Sequence, residues 1–158
     1  MRLTPFDPIL APTVASWARS EEEAVAWCSL TEVPVPADVI AAWGKAPGVV
    51  AFSLVADSLP IGYGELWIDD DEAEVVELAR LIIEPGHRGS GYGRRMVAEL
   101  VTQAQRHRRS VIMRVHPDNI AAKRSYAAAG FVPVPTAEES QWNVGQPIAY
   151  TWMAYRGL

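Results

Sequence analysis

The stretch IIEPGHRGSGYGRRM, residues 82–96, sets Gly89, Gly91 and Gly93 at alternate positions between an apolar run and a helical pattern. Glycines there remove side chains, so that consecutive backbone N–H groups can close on an anion. A helix opening near Tyr92 would add its positive end and its unsatisfied donors. Arg88 and Arg94 bracket the segment, and a pyrophosphate is the natural guest. The plainer alternative is a tight strand-to-helix turn with solvated arginines. Two familiar phosphate loops do not fit. The G-x-x-x-x-G-K-[ST] string is absent, and G-x-G-x-G is out of register with the dinucleotide fingerprint G-x-G-x-x-G.

Other reactive side chains are fewer. His116 falls at a strand end, where it could serve as a base or hold a water. His87 and His107 read as solvated. Cys28, beside Trp27 on an apolar helix, reads as a small core residue, since no histidine is spaced to activate it. No His, Cys or Asp cluster has metal-ligand spacing, so no metal is expected. Trp17, Trp27 and Trp43 fall in N-terminal helical segments and read from the residues alone as core. The acidic run Asp69–Glu74 reads as a solvated turn that, with Glu65, could attract a cation.

Around these residues the pattern alternates between helix and strand. Met1–Thr4 suggests a short strand. Residues 8–30 read as helical, with Leu10, Val14 and Trp17 at helical spacing and a second start at Ser20 followed by Glu21–Glu23. A short helix follows Pro36 and stops at Gly44. VVAFSLVA, IGYGELWI and VVELARLII are β-branched or aromatic runs, separated by the turn DSLP and by the acidic run, and predict three antiparallel strands. A helix is expected from Tyr92 to about Arg108, with Met96, Val97, Leu100, Val101 and Ala104 as its apolar stripe. SVIMRVH is a strand, and NIAAKRSYAAAG a helix capped near Asp118 or Asn119 and ended by Gly130. FVPVP and PIAYTWMAY close the chain as strands. The class is α/β with a mixed sheet.

A chain of 158 residues fits one domain, 1–158, large enough to bury a core without disulfides or metal. A net charge of −5 argues against a nucleic-acid partner, whose footprint would be basic. A single cysteine fits a reducing compartment, and no apolar run reaches membrane-spanning length. A cytoplasmic protein with no membrane partner is expected.

The segment Arg88-Gly89-Ser90-Gly91-Tyr92-Gly93 resembles the (Q/R)-x-x-G-x-(G/A) motif of the GNAT superfamily of acyl-CoA-dependent N-acetyltransferases. ELARLIIEP resembles the central strand of that family. Asn119, Ala122, Tyr126, Gly130 and Phe131 are similar to its second motif. The resemblance covers roughly residues 49 to 131. It implies a mixed, mostly antiparallel sheet flanked by helices, with splayed central strands, and acetyl-CoA as cosubstrate. It places the diphosphate on Arg88, Gly89, Ser90, Gly91, Tyr92, Gly93 and Arg94 through their backbone amides. The pantetheine arm would run along Leu81, Ile82 and Ile83 like an added strand, with Asn119 touching the cofactor. A backbone N–H near Ile82 would stabilise the thioester oxygen.

The same resemblance implies the catalytic groups. A lysine-like amine, with a reference pKa of about 10.4, must lose a proton before it attacks. Glu77, eleven residues before Arg88, resembles the glutamate base of the histone-acetylating branch of the superfamily. Simple alternation sets Glu77, Ala79, Leu81 and Ile83 on one face, where apolar neighbours would raise the carboxyl pKa. The alternative is a strand-edge glutamate in solvent or paired with Arg80 or Arg114. A second family pattern, a glutamate five residues before the asparagine, is replaced here by Arg114. Tyr126 resembles the tyrosine that protonates the departing thiolate, the alternative being an aromatic packed on the sheet. The expected reaction is direct transfer of acetyl to a primary amine on a small molecule or peptide, by a monomer or homodimer. A non-catalytic acyl-CoA-binding module is the rival, and small amines, aminoglycosides, amino acids and protein N-termini all stay open as acceptors.

Overall fold

The computed structural model describes residues 1–68, 75–106 and 110–157; the acidic run 69–74 and the stretch 107–109, including His107 and Arg108, lie outside the described residues. The helices are α1 (Ala11–Ala15), α2 (Glu21–Cys28), α3 (Ala37–Trp43), α4 (Tyr92–Gln105), α5 (Ile120–Ala127) and α6 (Thr136–Trp142). The strands are β1 (Arg2–Pro5), β2 (Val49–Ala56), β3 (Leu59–Ile68), β4 (Val75–Ile83), β5 (Ser110–Val115), β6 (Phe131–Pro133) and β7 (Thr151–Tyr155). They form one seven-stranded sheet in the order β1-β2-β3-β4-β5-β7-β6. Among the described residues only β4 and β5 pair in parallel, and α4 makes the crossover that such a pair requires.

Each element follows from its residues. The Ser20 hydroxyl accepts from the Glu23 amide and starts α2, with Glu21, Glu22 and Glu23 in the first turn. Met96, Val97, Leu100, Val101 and Ala104 are the buried stripe of α4, as the spacing predicts. They pack on Leu54, Leu66, Val76, Leu78, Val111 and Met113 from one sheet face. Gly62 permits that approach, because a Cβ there would lie 2.8 Å from the Met96 sulfur. On the opposite face, Val14, Trp17, Trp27 and Ile40 pack on Tyr63 and Ile82. Each such side chain taken from water contributes about 1.5–3 kcal/mol.

Several expectations are corrected. The helical reading of residues 8–30 breaks into a 3-10 turn at Pro8–Leu10, a short α1 with Pro12 in its first turn, and α2. The β2–β3 turn is Asp57–Ser58 alone, both left-handed at φ 47° and 66°, a conformation that suits the twist of a two-residue hairpin. Leu59 and Pro60 therefore belong to β3. The final strands are shorter than expected, and α6 stands between them. Trp142 of α6 packs edge-to-face on Trp152 at 5.2 Å, so tertiary packing holds a helix that the local sequence barely signals.

The largest correction lies in β4. The β3–β4 register shifts between the pairs Tyr63–Ile82 and Glu65–Ala79, so Arg80 and Leu81 together oppose Gly64. Arg80 adopts φ 48°, which marks a β-bulge. An extra residue reverses the alternation: Leu81 and Ile83 turn to the α4 face, while Ile82 joins the N-terminal helices. Glu77 does not share a face with Leu81 and Ile83.

Candidate active site

The glycine segment forms a loop at the head of α4. Gly89 and Gly91 are left-handed, at φ 76° and 82°, with nothing within 4 Å of either Cβ position. Gly91 takes the N-cap place and offers no side chain to the helix amides. Among the described residues, no backbone or side-chain acceptor engages the amides from Gly89 to Arg94. These amides and the helix dipole form a ready anion cradle. Ser90 is exposed, and the Tyr92 ring packs on the core and against His87. Arg94 lines the cleft. Arg88 does not bracket an anion with its side chain: its guanidinium donates to the carbonyls of Ile83 and Trp17 and pairs with Glu23 at 3.1 Å.

From the loop a cleft of about 1000 Å³ runs between β4 and β5. The two strands pair only from Val75–Ser110 to Glu77–Ile112 and then part. Glu84 donates to Ile61 across the β3–β4 ladder. Antiparallel alternation then turns the backbone groups of Ile82 to Tyr63 and those of Ile83 towards the cleft, where Arg88 reaches the Ile83 carbonyl. Leu81, Ile82, Ile83, Met113 and Val115 line the cleft. Free cradle donors, open left-handed glycines and parted strands together fit a diphosphate carried on a linear arm.

On the far wall stand Asn119, Ser125 and Tyr126 of the α5 segment, with His116 at the end of β5. The Asn119 side chain caps α5 by accepting from Ala122 at 3.1 Å. Tyr126 has no hydrogen-bond partner among the described residues, and burial raises its hydroxyl to about 12. The Asp118 amide donates to His116 Nδ1 at 3.3 Å. Cys28 donates to the Ala24 carbonyl, and burial pushes its thiol up, so it rests as a thiol.

Glu77 lies at the last β4 position paired with β5, but its carboxylate does not line the cleft. Arg114 holds it with Nε at 2.6 Å and Nη2 at 3.0 Å. Burial pushes the carboxyl above its usual range, against the opposing pull of Arg114. A second pair sits beside it. Glu65, fully buried, accepts from Tyr63, Trp67 and Arg80. Arg80 stacks at 4.2 Å from the centre of the Trp43 ring and 4.9 Å from that of Trp67. The Arg114 guanidinium lies over Trp67, Tyr150 and Trp152. Trp27 donates its indole N–H to the Arg80 carbonyl and braces the bulge.

Sequence reasoning missed Arg80, Arg114 and Glu65 as one cluster. Their alternating charges and neighbouring tryptophans lie in plain view, but the contacts span three strands and a bulge.

The acetyltransferase (GNAT) family model matches residues 13–131. The chain belongs to this family. AAC(6')-Ib in complex with ribostamycin and coenzyme A aligns with a TM-score of 0.74 at 18% identity, covering 97% of this chain and 91% of that one. The spermidine N-acetyltransferase of Vibrio cholerae with CoA and spermine gives 0.69 at 19%, over 85% and 82%. The ribosomal-protein-S18-alanine N-acetyltransferase of Escherichia coli gives 0.67 at 14%, over 98% and 92%. The GNAT fold expected from the sequence is the fold observed. No helix among the described residues is long and apolar enough to cross a membrane.

Proposed function

We propose that this GNAT chain transfers an acetyl group from acetyl-CoA directly to an amine. The observation that carries this reading is the run of free amides from Gly89 to Arg94, opening straight onto the gap between β4 and β5. Those amides bind the diphosphate, and the cleft-facing edge of Leu81–Ile83 aligns the arm. When bound, acetyl-CoA supplies an activated thioester. A main-chain N–H at the bulge beside Ile82 faces its oxygen. Tyr126, protonated throughout the working pH range, donates to the sulfur as the amine nitrogen bonds to the acetyl carbon and the carbon–sulfur bond breaks. Glu77 takes the proton of the amine through water passing Arg114, since its carboxylate is held back from the cleft. The thiol state of Cys28 favours direct transfer over a covalent relay.

Calorimetry with acetyl-CoA, joined to an assay of CoA release over a panel of amines, tests this. Binding with turnover of at least one amine is expected. Binding without turnover on any amine would favour a non-catalytic acyl-CoA module, and no binding would leave a purely structural domain.

A further inference from the structure

The closed end of the cleft, where β4 and β5 come together, carries two arginines. Arg80 engages Glu65 through Nη1 alone; among the described residues, its Nε and Nη2 have no partner. Trp43 and Trp67 cover the guanidinium, so its donors are presented edge-on in a fixed direction. Arg114 adds a second positive group on the facing strand. The carboxylates at this end, Glu65 and Glu77, are both engaged by these arginines. Glu21, Glu22 and Glu23 line the opposite end, at the head of α2, where Glu23 pairs with Arg88.

We infer that the acceptor is a small amine that also carries a carboxylate, received by the free edge of Arg80 beside Arg114. This rests on the acetyl-transfer reading above. A stacked, pre-aimed guanidinium matches a planar carboxylate with two parallel hydrogen bonds. A polycation would find no uncommitted carboxylate to pair with at this end, whereas Arg80 still has donors to give.

The test is a comparison of kcat/KM for the L-amino acids, their amides and the matching decarboxylated amines, with spermidine and kanamycin included. The same compounds are titrated into CoA-saturated protein by calorimetry. The best acceptors should carry the carboxylate and lose roughly ten- to hundredfold in kcat/KM on amidation, mainly through KM. Arg80→Lys keeps the charge but not the fork. It should raise KM for the acid about tenfold and shrink the acid-over-amide preference, with KM for acetyl-CoA unchanged. If that variant does not fold, the acid–amide comparison on the unaltered protein decides. An amide, a decarboxylated amine or a polycation equal to the best acid overturns this inference and leaves acetyl transfer standing. Bound acetyl-CoA with no amine of any kind turned over removes both.

Discussion

In the proposed reaction, Tyr126 and Glu77 would act from different electrostatic settings. Burial without a charged neighbour keeps the Tyr126 proton in place to about pH 12, so the hydroxyl remains a donor wherever an amine can react. Tyr126→Phe removes one O–H from a packed ring; kcat should fall about ten- to hundredfold with little change in acetyl-CoA affinity. Equal kcat for the two proteins would end its role as acid. Glu77 is chelated by Arg114, so a loss on mutation has two possible sources: a missing base or a released arginine. Glu77→Gln and Arg114→Gln separate them. A missing base should cost about a hundredfold at neutral pH. That deficit should shrink as rising pH supplies free amine, whereas Arg114→Gln should show no such recovery. Parallel pH–rate profiles for the two variants would assign Glu77 to holding Arg114 and nothing more.

The bulge in β4 and the loop before α4 are the elements that turn this sheet into a site, and they differ in how openly the sequence shows them. The loop is legible because Gly89 and Gly91 need left-handed backbone and the helical stripe begins directly after them. The bulge is hidden. Leu78, Ala79, Leu81, Ile82 and Ile83 are apolar on both sides of Arg80, so a one-residue shift in phase leaves the pattern unchanged. Its support, Glu65 with Tyr63 and Trp67, comes from β3 and is visible only once the strands pair. Glu65→Gln leaves Arg80 without its counter-charge in a buried setting and should cost about 3 kcal/mol of stability in urea unfolding. A cost near zero would mean that the bulge holds without the pair. Gly91→Ala meets no neighbour but must adopt φ 82°. It should destabilise by about 1–2 kcal/mol or retract the loop, and in either case weaken acetyl-CoA binding in calorimetry. Undiminished affinity would detach the cradle from the cofactor.

At the scale of the whole molecule, the cleft divides the sheet. Among the described residues, the β1–β4 side and the β5–β7–β6 side are joined in the sheet by the short β4–β5 ladder, with Arg114 tied to Glu77 and Trp67 beside it and α4 packed across both. A ligand that lies between the parted strands is held by both sides, so its binding must appear as global stability. At about a hundred times its Kd, acetyl-CoA should add about 2.7 kcal/mol, which for a chain of this length raises Tm by roughly 5–10 °C. Arg88 extends the coupling to the N-terminal layer, because its guanidinium joins the Ile83 carbonyl at the end of β4 to the Trp17 carbonyl and to Glu23 of α2. Arg88→Met keeps much of the aliphatic stem and removes these three ties. It should lower the Tm of the ligand-free protein and weaken the rise produced by acetyl-CoA, as the loop loses its anchor to the helices. Hydrogen exchange gives the spatial test: the amides from Gly89 to Arg94 exchange rapidly in the free protein and become protected together with Ile83 when acetyl-CoA binds. Protection confined to α2 and α3, with the loop still exchanging freely, would place the ligand elsewhere and break the link between cradle and cleft.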